Sequence, residues 1–143
     1  MKKSINLLLL VAIATFQFSC SSDDDANADV NLSSKSVTDC GLGDITDTSL
    51  NVCLDGAELA LPNENITYAA KYNSLDADFK WTIMSGSMEV INVENSISDG
   101  FSKSIATIKF NSDFNGQGII EVFAEDSRGS GGVTHAIELE ETN

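Results

Sequence analysis

From about residue 40 onward, apolar side chains recur at every second position in short runs, and clusters of Gly, Asn, Asp and Ser separate the runs. A period of two places alternate side chains on one face of an extended strand. In Ile66-Thr67-Tyr68-Ala69-Ala70-Lys71-Tyr72 that face carries Ile66, Tyr68, Ala70 and Tyr72, and in Phe79-Lys80-Trp81-Thr82-Ile83 it carries Phe79, Trp81 and Ile83. The rhythm continues over 88–93, 105–110, 118–125 and 133–140, with shorter candidates at 50–54 and 58–61. No window holds helical spacing long enough for a helix. The pattern predicts an all-β domain, a single antiparallel β-sandwich of seven to eight half-buried strands. Trp81, Phe110, Ile120, Val122 and Ile137 are expected between the two sheets. Gly129-Ser130-Gly131-Gly132 falls between two runs and is expected to form a flexible hairpin loop.

The start of the chain has a different pattern. Met1-Lys2-Lys3 is basic, an apolar stretch follows, and Phe16-Gln17-Phe18-Ser19-Cys20 closes it. Roughly 14 apolar residues fall short of the roughly 20 that cross a bilayer, so residues 1–19 are expected to be a signal peptide. The segment after it opens with Ser21-Ser22-Asp23-Asp24-Asp25 and has Val30, Leu32 and Val37 as its few large apolar residues. It predicts a disordered tether over 20–39, leaving one domain with a modest core over 40–143.

Charge narrows the function. Acidic residues outnumber basic ones 22 to 8, and loss of Lys2 and Lys3 with the signal makes the net charge still more negative than −14. Such a surface repels phosphate backbones and anionic lipid, which excludes nucleic-acid binding and electrostatic membrane binding. Of three cysteines, Cys20 ends the signal and Cys40 and Cys53 remain as a pair. In an oxidising compartment they are expected to form a disulfide contributing roughly 3 kcal/mol. Two thiols and the single His135 make a poor zinc site.

His135 lies in phase with Val133, Ile137 and Leu139 and is expected as a half-buried sheet residue. No nucleophile elbow, zinc helix or phosphate loop is present. The carboxylate pairs Asp76/Asp78 and Glu121/Glu125 could serve glycoside hydrolysis, but a domain this small leaves little room for a substrate cleft. An enzyme is therefore not expected. No cofactor is expected beyond calcium, which Asp44, Asp47 and Asp55 near the disulfide loop could hold.

Two resemblances add to this reading. Ser19-Cys20 resembles the lipobox of bacterial lipoproteins, with Gln17 where an aliphatic residue is usual, which implies acylation at Cys20. Ser22-Asp23-Asp24-Asp25 resembles the acidic export signal of Bacteroidetes surface lipoproteins, which implies an outer-membrane anchor and display on the cell surface; a periplasmic face is the competing location. Phe79-Lys80-Trp81-Thr82-Ile83 with Gly86, then 105–110, then Asn115-Gly116-Gln117-Gly118-Ile119-Ile120-Glu121-Val122 resemble the PKD-like, immunoglobulin-like domains of such proteins. Met84-Ser85-Gly86-Ser87 replaces the family's Asp-Phe-Gly-Asp-Gly turn. Anchor, spacer and sandwich together imply a binding or adhesion module for a glycan or protein. The alternative is an accessory structural subunit of an outer-membrane assembly, joined through an exposed sheet edge.

Overall fold

The computed structural model describes residues 30–42 and 51–141. The signal peptide, Cys20 and Ser22 to Asp25 lie outside the described residues, as do Asp44 and Asp47. Eight strands form: β1 (Val52–Asp55), β2 (Leu59–Ala60), β3 (Asn65–Tyr72), β4 (Asp78–Ser85), β5 (Met88–Ser98), β6 (Phe101–Phe110), β7 (Gln117–Asp126) and β8 (Gly129–Leu139). They make two four-stranded sheets, ordered β1-β3-β6-β5 and β2-β8-β7-β4. Each strand overlaps one predicted from the alternation of apolar positions.

The expected core is present. Ile66 and Tyr68 from β3, Ala106, Ile108 and Phe110 from β6, Ile120 and Val122 from β7, and Ile137 from β8 are fully buried. Trp81 and Ile83 pack against this cluster from β4. Burying each such Ile or Phe contributes about 1.5–3 kcal/mol. The Trp81 indole N–H donates to the hydroxyl of fully buried Ser104 at 2.9 Å, so the polar end of the ring is satisfied across the sandwich. Phe114, in the β6–β7 loop, packs edge-on against Phe110 at 4.8 Å and closes one end.

The structure departs from the sequence reading in four ways. The second sheet is mixed, because the two residues of β2 pair in parallel with β8 while every other pair is antiparallel. After β1 the chain crosses to the far sheet and touches its edge before returning as β3. Next, 129–132 is strand and not loop. Gly131 lies where a Cβ would come to 3.0 Å from Val52 on β1, so Val52 fits against bare backbone there, and Gly132 lies beside the Phe123 ring. The β5–β6 connection is a two-residue hairpin in which Asp99 (φ 54°) and Gly100 (φ 83°) both take positive φ, extending both strands beyond 88–93 and 105–110.

Finally, residues 30–39, expected in the tether, run as an ordered strap beside β3, bonded to the edge that β1 leaves unpaired at 65–67. Ser33 N–H donates to the Asn65 carbonyl at 2.8 Å and Val37 N–H to the Thr67 carbonyl at 3.1 Å. The Thr67 hydroxyl returns a bond to the Val37 carbonyl, and Lys71 pairs with Asp39 at 2.5 Å. β3 is buried on both faces: Ala69 is fully covered and Thr67 and Lys71 nearly so, as their core-facing neighbours are. Small and polar outer residues leave room for a chain that bonds through its backbone. The Cys40–Cys53 disulfide ties the end of the strap to β1.

Candidate functional site

Three of the carboxylates singled out from sequence, Asp78, Glu121 and Glu125, come together on the outer face of the β2-β8-β7-β4 sheet. Outward positions of β4 and β7 stand opposite one another as Asp78 with Glu125, Lys80 with Phe123 and Thr82 with Glu121. They line a trough of about 430 Å³ together with Phe79. Across the other edge of β7, Phe123 opposes Gly132 and Glu121 opposes Thr134. The Phe123 ring lies close over Gly132, where a Cβ would touch it at an ordinary van der Waals distance of 3.4 Å. Phe123 remains 36% exposed. The trough thus holds an aromatic surface flanked by three carboxylates, one ammonium and one hydroxyl.

Asp76 is placed elsewhere. It accepts from the Ser74 hydroxyl at 2.8 Å within the β3–β4 loop. That loop is held by the β7–β8 turn: Arg128 donates to the Asn73 carbonyl at 2.5 Å and to Asp126, whose side chain is almost wholly enclosed. Burial opposes charge on Asp126, but the Ser74 hydroxyl and the Arg128 backbone and guanidinium outweigh it and hold the carboxyl at about 2.

At the opposite end, Lys35 of the strap bridges Glu64 at 2.9 Å and Glu140. Partial burial works against both charges, yet the pairing raises the Lys35 pKa and, with the Leu61 N–H, lowers that of Glu64. Asp39 is lowered chiefly by its hydrogen bond from Lys71.

The remaining residues singled out from sequence have structural surroundings. His135 Nε2 lies 3.1 Å from the Ala57 carbonyl, and its ring packs edge-on to Tyr68 at 5.6 Å. Asp55 turns its carboxylate to the neighbouring Gly56 N–H at 2.8 Å. Among the described residues, no three His, Cys, Asp or Glu side chains converge as a metal site.

A second surface, not anticipated from sequence, lies along β5. Its positions paired with inward-facing Ala106, Ser104 and Ser102 are Val93, Asn95 and Ile97. These side chains are nevertheless exposed, Val93 by 41% and Ile97 by 64%. A cleft of about 400 Å³ opens beside them, between Leu75 and Phe79 on one side and Asn95 to Ile97 on the other.

Neither models of known protein families nor curated proteins match the chain.

Proposed function

We propose that this chain is a lipid-anchored surface module with an immunoglobulin-like, PKD-like sandwich, and that the β4–β7–β8 face binds a glycan. The strand order supports the fold assignment: β1-β3-β6-β5 corresponds to the A-B-E-D sheet of a constant-type immunoglobulin domain, and β4, β7 and β8 correspond to its C, F and G strands. The lipobox-like Ser19-Cys20 and the following acidic run support the anchor and surface location.

Phe123 carries the ligand assignment. An aromatic ring laid along a sheet face offers the apolar C–H face of a sugar a stacking surface, and Asp78, Glu121 and Glu125 around it are acceptors for sugar hydroxyls. Lys80 and Thr82 supply donors from the same row.

The test is retention of the chain on an immobilised panel of neutral and acidic glycans, with Phe123→Ala and Glu121→Gln alongside. At least one glycan class should be retained, and each substitution should weaken it by about tenfold, the value of one lost stacking or charged contact. Failure of every glycan, or binding indifferent to Phe123, refutes the assignment. Release of the domain from intact cells by protease, and loss of acylation in Cys20→Ala, test the location separately.

A further inference from the structure

We propose that β5 is a self-association edge, which pairs antiparallel with β5 of a second copy about a two-fold axis at Asn95. β5 ends its sheet, and among the described residues no strand pairs with its outer edge. It is 11 residues long, whereas the other three edge strands, β1, β2 and β4, have 4, 2 and 8. Long free edges are normally blunted by Lys, Pro or a bulge. β5 has a bulge at its start, between Val90 and Asn92, and past it neither Lys nor Pro.

The occupant follows from the chemical symmetry of the seven residues after the bulge. Asn92-Val93-Glu94-Asn95-Ser96-Ile97-Ser98 has the same character read from either end about Asn95. In an antiparallel pair centred there, Val93 of each copy opposes Ile97 of the other on the inward face, with Asn95 opposite Asn95 between them. On the outward face Glu94 opposes Ser96 and Asn92 opposes Ser98. Both exposed β-branched residues gain a β-branched partner, and no charge stands directly opposite its like. A strand from an unrelated protein has no reason to match this pattern, while a second copy matches it by construction, as two-fold interfaces require. The pairing also covers Ile97 at the lip of the cleft. It is independent of the glycan reading, whose face lies on the other sheet.

The register is testable by cysteine cross-linking of the full chain in detergent, in a Cys20→Ser background. Paired residues in antiparallel strands have Cα atoms about 4.5–5.5 Å apart, within disulfide reach. Asn95→Cys should therefore oxidise to a covalent dimer. Ser96→Cys places its two copies roughly 8 Å apart and Ile97→Cys roughly 14 Å, beyond reach. All three positions are exposed, so the substitutions leave the core intact. The expected result is dimer formation about tenfold faster for Asn95→Cys than for the other two, abolished when Val93→Lys and Ile97→Lys are added. Equal rates at all three positions overturn the proposal, as does Asn95→Cys remaining monomeric or cross-linking to a different protein.

Discussion

Removing the Cys40–Cys53 disulfide should cost about 3 kcal/mol of stability. The bridge joins residues 13 apart, and closing a loop of that size in the unfolded chain removes conformational freedom worth about 3 kcal/mol. For a domain whose total stability falls in the usual range of about 5–15 kcal/mol, that is a large share. With a urea slope of roughly 1.5 kcal/mol per molar, the Cys40→Ala/Cys53→Ala variant should unfold at a midpoint roughly 2 M lower. Reduction of the unsubstituted chain should give a similar shift. Because the effect acts on the unfolded ensemble, the folded strap should keep its bonds, and the Val37 and Thr67 amides should stay protected from hydrogen exchange in the reduced protein. A midpoint shift below roughly 0.5 M would refute the entropic argument. Selective loss of protection at Val37 and Thr67 would instead show that the bridge works by pinning the strap to β3.

Gly56→Ala places a methyl 2.0 Å from the buried Tyr68 ring, which must move off the Ala57 carbonyl it bonds; a loss of about 1–3 kcal/mol is expected in chemical denaturation, with less than that refuting the packing argument. Asp126, held at about 2 when folded, ionises more readily there than in the unfolded chain, so it contributes stability above the ordinary aspartate range near 3.8 that disappears as pH falls toward 2. Thermal melts between pH 5 and about 2 should accordingly show a shallower acid decline in Asp126→Asn; parallel declines would refute the assignment. Trp81→Phe leaves the fully buried Ser104 hydroxyl without its donor, and about 1–3 kcal/mol should be lost, part of it regained by adding Ser104→Ala.

The strands and their core faces were legible because alternation reports burial directly, and Phe79, Trp81 and Ile83 share a face whatever they pack against. The paired cysteines were equally legible. The extent of β5 and β6 was not, since Asn95, Ser96, Ser98, Ser102 and Ser104 conceal the alternation at their shared end; the Asp99-Gly100 dipeptide was the available signal for a tight hairpin. The strap escaped notice because it is held by backbone bonds and Ser, Thr, Lys and Asp side chains, which also characterise a solvated tether. The glycine run is ambiguous for a related reason: glycine marks turns, but it also marks places where another chain segment approaches, as Val52 does at Gly131. The trough depends on register, which brings Asp78 beside Glu125 and Lys80 beside Phe123 across 40 or more positions, and no local pattern encodes that.

The direction of the strap fixes where the chain enters the domain and how the strap bears load. Its residues 33, 37 and 39 meet β3 at 65, 67 and 71, so it climbs alongside β3 from the pole holding Glu64 and Glu140 toward the pole holding the β3–β4 and β7–β8 turns. The chain therefore enters the strap at the first pole. In the proposed antiparallel pairing through β5 one copy is turned end over end, so the two straps begin at opposite ends of the pair. Tension across it runs along the strand axes, so the bonds of the strap and of the β5 seam are loaded in shear, all at once, in place of being unzipped one after another.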